Sequence, residues 1–388
     1  MTLTLTNARI VTADGLHHGA LTIEDGQIAA LDAPVRGVEV DMQGDLILPG
    51  LIDLHGDAIE KEVEPRPNAF FPLPVALDAI DRRMAAAGIT TAYHGISFAE
   101  GELGVRDVDF AETLARALHG LKGAVDHRVH IRYEVTDAGS EARVTRLLHE
   151  GVAALLSFMD HTPGQGQFKD AAAYGAYLSR VYAQTASEIA EKISAKEAEA
   201  AHVADRMTRL AALARGHNVA LAGHDDEGAE RVGFMAALGA TISEFPLDMD
   251  TAHAGCNAGL VTLFGAPNVL RGRSQSGALS ARDAIAAGVA GALCSDYAPQ
   301  AMLPALGVLT GDLGMDWPHA IALMAGGPAR AAGLADRGTI APGLRADLIR
   351  VRGTGAALSV AATWVAGRQV YGFGAAPMPA AMPAMAAQ

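Results

Sequence analysis

The stretch of residues 45–67, DLILPGLIDLHGDAIEKEVEPRP, contains the signal that decides the fold. Its apolar run breaks at a proline-glycine corner, resumes, and ends on the three residues His-Gly-Asp. An apolar run of this length between turn residues is typical of a buried strand. Because residues two apart on a strand share a face, we expect His55 and Asp57 to project together from the carboxyl end of this strand.

Seven further apolar runs follow this strand, with amphipathic helical patterns among them. The predicted strands lie in the stretches GITTAYHGIS, HRVHIRYEV, AALLSFMDH, VALAGHDD, ATISEFP, LVTLFGAPN and GALCSDYAP. Helical patterns that end on a glycine occur in PVALDAIDRRMAAAG, SEARVTRLLHEG and EGAERVGFMAALG. The alternation predicts an α/β protein, a (β/α)8 barrel of the TIM type over residues 51–337, whose active site lies at the carboxyl ends of the strands.

Both ends of the chain have a different sequence pattern, in which apolar and polar residues alternate between turn glycines. Residues 1–50 show this pattern, and residues 338–375 repeat it in ADLIRVRG and VAATWVAGRQVYG. Each piece is too small for a core of its own, so we expect the two to combine in one small β domain. The last residues, 376–388, are of low complexity, and we expect them to form a disordered tail.

Composition excludes several classes of function. The 388 residues carry a net charge of −14, which argues against nucleic acid or an anionic membrane as a partner. Two cysteines, no signal-peptide pattern and no apolar run long enough to span a bilayer indicate a cytoplasmic protein. The expected partner is a small-molecule substrate, and the sequence is compatible with a homo-oligomer.

Histidines and carboxylates recur at the predicted strand ends. They are His55, Asp57, Glu134, Asp160, His161, His224, Asp225, Asp226 and Asp296. Such groups would be costly inside a barrel unless they bind something. Imidazole and carboxylate suit Zn²⁺, Mn²⁺ or Fe²⁺, and so many carboxylates could hold two divalent ions that activate water for hydrolysis.

The stretch HRVHIRYEV separates two faces of the third strand. His130, Arg132 and Glu134 fall on one face, and apolar residues fall on the other, so we expect Glu134 to point into the barrel. The role of His94, at the end of the second strand, is ambiguous, and the favoured interpretation is a core residue or one that supports the metal ligands. His17, His18, His119 and His217 are expected to be surface or structural residues.

Basic and hydroxyl side chains follow the seventh and first strands. The loop GAPNVLRGRSQSG supplies Arg271, Arg273 and Ser274 in the region where barrels often bind phosphate. Lys61 and Arg66 come shortly after the first strand, and Lys169 offers another basic contact. These donors could bind a phosphorylated substrate, although a solvated loop is the alternative interpretation.

These motifs resemble the amidohydrolase superfamily of metal-dependent hydrolases, in which a first-strand PGLIDLH, an aspartate on strand eight and a small domain built from both termini occur together. A narrower resemblance is to the ribose 1-methylphosphonate 5-triphosphate diphosphatases of the bacterial carbon-phosphorus lyase pathway. It rests on the blocks LPGLIDLHGDAIEKEVEPRP, SFMDHTPGQGQF, HDDEG, SEFP, GAPNVLRGRSQSG and CSDYAP, in this order. It implies phosphonate metabolism and release of pyrophosphate from a 5-triphosphate.

The resemblance, together with position at strand ends, favours a particular set of site residues. The expected metal ligands are His55, Asp57, Glu134, His161 and His224, with Asp296 as the proton acceptor. The chain departs from the commoner superfamily pattern, since it has His-Gly-Asp instead of His-x-His and Glu244 on the sixth strand. The fourth strand also lacks a bridging lysine. In the narrower group, His and Asn are expected where Gln275 and Ala278 stand.

Two other functions stay open at the level of the sequence. A cyclic-amide hydrolase or deacetylase uses a similar barrel and metals, and fold alone does not choose between these activities. A non-catalytic assembly subunit is the second alternative, and the four residues His55, Asp57, His224 and Asp296 argue against it. The helical segment 170–216, after the fourth strand, is expected to be a solvated helix or part of a lid.

Overall fold

The computed structural model describes residues 2–99, 102–162, 172, 175, 185–275 and 277–372. The strands, β1 to β16, are Thr2–Thr12, Gly15–Glu24, Gln27–Leu31, Val38–Asp41, Leu46–Pro49, Leu51–Gly56, Ile89–Phe98, Asp126–Glu134, Ala153–Met159, Ala220–His224, Ile242–Glu244, Val261–Gly265, Ala292–Cys294, Leu348–Arg352, Ser359–Val365 and Arg368–Gly372. The helices, α1 to α12, are Ala58–Val63, Leu73–Ala86, Val108–Gly120, Glu141–His149, Ala186–Gly216, Ala229–Ala237, Met249–Asn257, Ala266–Arg271, Ala281–Ala286, Met302–Thr310, Trp317–Ala322 and Gly326–Ala331.

Some predictions fall outside the described residues. These are the tail 376–388, Lys169, the end of the block SFMDHTPGQGQF and most of residues 170–184. Of the predicted helical segment, the structure describes the long helix α5. Thr185 caps the amino end of this helix in a capping box with Glu188, which satisfies backbone N–H groups there.

The eight-stranded parallel barrel is confirmed. Strands β6 to β13 pair in sequence order, each with the next. The last strand returns to the first through a bridge between Gly56 and Asp296, where Asp57 N donates to Asp296 O at 2.7 Å. The barrel therefore closes beside the polar residues that end its first and last strands.

Side chains divide between the inside and the outside of the barrel. Ile52, Leu155 and Leu263 belong to one apolar cluster, to which the barrel strands contribute their inward-facing residues. Val129, Ile131, Tyr133 and Val135 of the third barrel strand instead join the large cluster beneath the helices, as the alternation predicted. His130, Arg132 and Glu134 consequently face inward, toward the top of the barrel.

The two ends of the chain form the second sheet, as expected. Its order is β16-β15-β14-β5-β1-β2-β3, with β4 paired to β1. The amino-terminal and carboxyl-terminal parts join where β14 pairs antiparallel with β5. A separate apolar cluster that includes Ile10, Ile47 and Leu348 stabilises this sheet.

The proline-glycine corner of the opening stretch passes the chain from one sheet to the other. Pro49 ends β5, Leu51 begins β6, and Gly50 N donates to Asp347 O at 2.8 Å. A Cβ atom on Gly50 would lie 2.2 Å from Thr90 Oγ1, so a side chain does not fit there. The sequence uses glycine at this corner because the backbone approaches the second barrel strand so closely.

Among the described residues, no helix is both long and apolar enough to cross a membrane.

Candidate active site

The rings at the centre of the candidate site belong to His55, His130, His224 and Phe245. The ring centroid of His55 lies 5.2 Å from that of His130, 5.4 Å from that of His224 and 4.9 Å from that of Phe245. The pairing of β6 with β7 shifts in register between Asp53 and Gly56. His55 lies within this irregular stretch, and its ring packs against the other three rings.

Three of the side chains here can hold a metal ion. One ligand atom from each of His55, His130 and Glu244 lies within 4.8 Å of the other two. The side chain of Glu244 has no exposed surface, and its carboxylate oxygen Oε2 accepts no hydrogen bond. Two imidazoles and a carboxylate suit Zn²⁺, Mn²⁺ or Fe²⁺, and a metal ion would satisfy the unpaired oxygen.

The electrostatics of this group also favour a cation. Burial opposes charge on His55, but the carboxylates of Glu244 and Asp57 raise its pKa to about 10. Burial lowers the pKa of His130 to about 3. Its Nδ1 lies 3.1 Å from Leu54 O and its Nε2 lies 2.8 Å from Ser157 Oγ, so a metal ion at this ring would replace one of these contacts. The field that stabilises a proton on His55 would also stabilise a metal ion that displaces it. The residues therefore fit a divalent metal.

Asp57 makes a different contact from the one predicted for a metal ligand. Arg132 Nη1 donates to both oxygens of Asp57 at 3.1 Å, and Arg132 Nη2 lies 3.4 Å from His224 Nε2. Burial raises the pKa of Asp57, but Arg132 and His55 outweigh burial and hold that pKa well below its usual range. The guanidinium thus links two of the predicted ligands.

Glu134 and His161 form a second cluster around a lysine from the long helix α5. His161 Nδ1 lies 2.9 Å from Glu134 Oε2, and Lys196 Nζ lies 2.8 Å from Glu134 Oε1. Thr136 Oγ1 also donates to Glu134 Oε1 at 2.6 Å. Donors already satisfy both oxygens of this carboxylate. Whether Glu134 and His161 bind metal stays a prediction.

Asp296 lies at the closure of the barrel, beside His55. Its N donates to His55 O at 2.9 Å, and its φ of 54° is unusual for a residue other than glycine. Phe245, directly after β11, has a similar φ of 53°. Burial raises the pKa of the Asp296 carboxyl to about 6. Positive φ values at strand ends are costly and are often found at functional sites.

A cavity of about 320 Å³ opens above these residues, a size that suits a small ligand. His55, Asp57, His224 and Asp296 line its floor. Three arginines contribute to its walls: Arg106, Arg132 and Arg271. Arg106 is held by Glu60, whose two oxygens accept from Nε at 2.8 Å and from Nη2 at 3.0 Å.

The predicted phosphate-binding residues take different places. Arg271 and Ser274 line the cavity, whereas Arg273 lines an adjoining open cavity together with both of them. Lys61 and Arg66 are exposed and lie outside the residues that line the main cavity. Gln275 and Ala278, where the narrower group was expected to differ, line both cavities.

The loop that carries Ser274 is tied to the helix before it. Asn268 Nδ2 donates to Leu279 O at 3.2 Å, and Asn268 Oδ1 accepts from Ala281 N at 3.1 Å. Arg271 ends α8, and Gly272 follows it with a φ of 70°. These contacts hold Arg271 and Ser274 at the rim of the cavity.

His94 is a core residue rather than a lining residue of the cavity. It is fully buried, and its Nε2 lies 2.8 Å from His127 Nδ1. His127 Nε2 in turn lies 2.9 Å from Asp81 Oδ1 on helix α2. This chain of polar contacts connects β7 and β8 to helix α2, and His94 is thus a buried core residue, which is within the favoured interpretation.

Sequence reasoning left His130, Glu244, Arg132 and Arg106 out of the predicted site. A signal existed for three of them. The alternation in HRVHIRYEV put His130 and Arg132 on the inward face, and Glu244 ends the sixth strand. Arg106 had no such signal, because it belongs to the connection between β7 and α3, where no strand periodicity applies, and it pairs with Glu60.

The chain matches a known protein family over most of its length. The model of the Amidohydrolase family matches residues 46–370, and the chain belongs to this family. The chain is therefore a hydrolase of a family that generally uses divalent metals. The superfamily resemblance found in the sequence is confirmed.

A relative in Escherichia coli (strain K12) is named alpha-D-ribose 1-methylphosphonate 5-triphosphate diphosphatase. It is 31% identical over 376 residues, which are 95% of this chain and 100% of the relative. The narrower resemblance seen in the sequence blocks is thus confirmed as a similarity over nearly the whole chain.

Solved structures show the same fold at low identity. N-acetylglucosamine-6-phosphate deacetylase from Pasteurella multocida has a TM-score of 0.65 at 13% identity, covering 95% of this chain and 99% of that one. N-isopropylammelide isopropylaminohydrolase from Burkholderia multivorans has a TM-score of 0.62 at 18% identity, covering 95% and 98%. At these identities the likeness concerns the fold alone.

Proposed function

We propose that this protein hydrolyses α-D-ribose 1-methylphosphonate 5-triphosphate to the 5-phosphate and pyrophosphate. The observation that carries the proposal is the convergence of Arg106, Arg132 and Arg271 on one cavity, which is also lined by His55, a member of the group that could hold a metal ion. Three guanidiniums match the anionic oxygens of a triphosphate, because each offers several donors in a planar fork. The similarity to the Escherichia coli diphosphatase supports the same substrate.

His55, His130 and Glu244 would hold the divalent metal in this reaction. When bound, the metal would supply Lewis acidity, which polarises phosphoryl oxygens and acidifies water. Arg132 and Arg271 would bind phosphate oxygens and offset the negative charge that develops during the reaction.

Asp296 is the proposed proton acceptor. It lines the cavity beside His55, and the residue is partly buried. It would take a proton from the attacking water as the oxygen of that water bonds to the α-phosphorus. The bond from the α-phosphorus to the oxygen bridging to the β-phosphorus then breaks, and pyrophosphate leaves.

The site of bond cleavage tests the proposal. In ¹⁸O-labelled water, the label should enter the sugar 5-phosphate, and the pyrophosphate should be unlabelled, as read by mass spectrometry and ³¹P NMR. Labelled pyrophosphate would mean attack at the β-phosphorus. Orthophosphate as the first product would reject the proposal.

A substrate screen separates this activity from the two alternatives. Nucleoside and ribose 5-triphosphates, hydantoins and N-acetyl sugars should be compared with the same metal-loaded enzyme. Turnover confined to the hydantoins or the acetylated compounds would favour an amide hydrolase. Absence of turnover from every class, with metal bound, would favour the assembly subunit.

Asp296→Asn tests the proton acceptor. This variant keeps the shape of the side chain, so it should retain its metal and lose on the order of 100-fold in turnover. Turnover close to that of the wild type would remove Asp296 from the mechanism.

A further inference from the structure

Helix α1, which follows the first barrel strand, holds the connection between β7 and α3 through two carboxylates one turn apart. Glu60 Oε1 accepts from Arg106 Nε at 2.8 Å, and Glu60 Oε2 accepts from Arg106 Nη2 at 3.0 Å. Glu64, at the carboxyl end of the helix, accepts from Val105 N at 3.2 Å. Because residues four apart on a helix share a face, α1 holds both the side chain of Arg106 and the backbone beside it.

A glycine allows the carboxylate of Glu64 to approach this connection. Gly104 has a φ of 69°, which favours glycine, and a Cβ atom there would clash with Glu64 Oε2. The other oxygen, Glu64 Oε1, accepts from Asn68 N at 2.8 Å. Because both of its oxygens are engaged, Glu64 fixes the backbone that leads into Arg106.

The guanidinium of Arg106 keeps one edge open for an anion. A guanidinium presents its donors along two forked edges, one formed by Nε and Nη2 and the other by Nη1 and Nη2. Glu60 occupies the first edge, and Nη1 donates no hydrogen bond to any of the residues that the structure describes. The side chain is 27% exposed and lines the main cavity. Because the pair with Glu60 is bidentate, it fixes the plane of the open edge.

Arg106 and Arg271 lie on opposite sides of the seam where the barrel closes. The strands follow one another around the barrel in the order β12, β13, β6 and β7, with the seam between β13 and β6. Arg271 ends the helix after β12, and Arg106 follows β7. His55 and Asp296 belong to the two strands beside the seam and line the same cavity. The cavity therefore offers a guanidinium on either side of the proposed reaction centre.

The two sides of the cavity differ in their donors. On the β12 side, Arg271 and Ser274 line the main cavity, and Arg273 joins them around the adjoining open cavity. Several donors that lead outward suit the two outer phosphates of a triphosphate. On the β7 side, the open edge of Arg106 suits one compact anionic group with two oxygens. The methylphosphonate at C1 of the ribose is such a group.

We propose that Arg106, held by Glu60, recognises the methylphosphonate of the substrate, while the β12 side of the cavity binds the outer phosphates. The ribose extends from the α-phosphorus toward β7, where its C1 substituent meets the open edge of Arg106. Of the three guanidiniums in the cavity, that of Arg106 is thus assigned to the phosphonate and not to the triphosphate. Glu60 acts through Arg106 and is a positioning residue. This inference rests on the proposed function, because it names the substrate group that the same cavity selects.

Substrate selectivity tests the role of Arg106. We compare kcat/KM for α-D-ribose 1-methylphosphonate 5-triphosphate with that for ribose 5-triphosphate, which lacks the phosphonate. The wild type should prefer the first substrate by about tenfold or more, as for a hydrogen bond between charged groups. Arg106→Met should lose this preference and keep its kcat/KM for ribose 5-triphosphate, which also shows that the variant folds. A wild type without the preference, or a preference that survives in Arg106→Met, would overturn the proposal.

Glu60→Gln tests the positioning role, with Glu62→Gln as the matched control. Glu60→Gln should raise KM for the phosphonate substrate with little change in kcat, because the phosphonate is remote from the bond that breaks. It should have no further effect in a protein that already carries Arg106→Met. Glu62, on the same helix, pairs with Arg83 at 2.8 Å, and neither residue lines the cavity, so Glu62→Gln should leave the selectivity unchanged. A full effect of Glu60→Gln in the Arg106→Met background would overturn the positioning role.

Product binding tests the same recognition without any turnover. In calorimetry with the metal-loaded enzyme, ribose 1-methylphosphonate 5-phosphate should bind about tenfold or more tightly than ribose 5-phosphate, and Arg106→Met should remove the difference. Equal affinities in the wild type would overturn the inference. The two hypotheses therefore fail separately: triphosphate turnover without a phosphonate preference rejects only this inference, and an Arg106-dependent difference in binding without triphosphate turnover rejects only the proposed function.

Discussion

Asp53 joins the first and last strands of the barrel through Ser295. Asp53 Oδ2 accepts from Ser295 Oγ at 2.5 Å, and Asp53 Oδ1 accepts from Ser295 N at 2.9 Å. Both residues are completely buried. His55 follows Asp53 on β6, and Asp296 follows Ser295 just after β13, so this contact sets the position of the candidate proton acceptor relative to the candidate metal ligand.

Asp53→Ala should therefore lower the free energy of unfolding by about 3 kcal/mol, because two buried donors of Ser295 lose their acceptor. Asp53→Asn should cost less, since an amide can accept from Ser295 N and donate to Ser295 Oγ. Urea denaturation measures both changes. Asp78→Ala, which removes an exposed carboxylate paired with Arg82, is the control and should stay within about 0.5 kcal/mol. Equal costs for Asp53→Ala and Asp53→Asn would contradict the account.

Two sets of candidate metal ligands can be separated by paired variants. His130→Ala should lower metal content and nearly abolish turnover, because His130 belongs to the compact group with His55 and Glu244. His161→Ala should keep the metal, since Glu134 and Lys196 surround that imidazole instead. Metal analysis of both proteins decides the matter. Loss of metal from His161→Ala alone would favour the ligand set expected from strand ends.

Gly95→Ala should disturb the ion pair of Asp57 and Arg132, because the new Cβ would lie too close to both. We expect turnover to fall about tenfold or more, and the free energy of unfolding to fall by about 1–3 kcal/mol from overpacking. Gly120→Ala is the control, since a Cβ there meets nothing within 4 Å. Normal turnover in Gly95→Ala would show that the exact geometry of the pair is unimportant.

Arg271 and Arg273 should differ in their effects on substrate binding. Arg271 lines the main cavity as well as the adjoining one, whereas Arg273 lines only the adjoining one. Arg271→Met should lower kcat/KM for the triphosphate by about tenfold or more, and Arg273→Met should have the smaller effect. Steady-state kinetics with both variants measures this. A larger effect of Arg273→Met would move the bound phosphates toward the outer cavity.

The acid sensitivity of the fold should depend in part on Glu112. Hydrogen bonds from Arg146, with further ones from Arg116 and Arg143, lower the pKa of Glu112 to about 2 from 4.5. A lowered pKa stabilises the folded state above the unfolded value, and this contribution is lost as the pH falls from about 4.5 toward about 2. Because the network is partly exposed, we expect a contribution of about 1 kcal/mol at pH 7.

Glu112→Gln should accordingly be less stable than the wild type at pH 7, and the difference should shrink as the pH falls below about 4.5. Urea denaturation over a series of pH values follows this change, since urea adds no ions that would screen the network. A difference that stays constant down to pH 2 would show that the network does not act through the charge of Glu112.

The local pattern of the sequence was enough to predict the barrel. Strand and helix periodicities depend only on neighbours along the chain, so eight apolar runs were visible without tertiary information. The same alternation put His130, Arg132 and Glu134 on the inward face, and the structure confirms it. The joining of the two chain ends in one sheet was also predictable, because neither piece could bury its apolar face alone.

Tertiary structure decided which of the polar side chains at the strand ends contact one another. Glu134 and His130 share a face, yet Glu134 contacts Lys196 of the long helix, while His130 lies with His55 and Glu244. The register shift near His55 and the ion pair of Arg132 with Asp57 join residues distant in sequence. Local periodicity does not encode such contacts, because they depend on how strands from opposite parts of the barrel are positioned around a common centre.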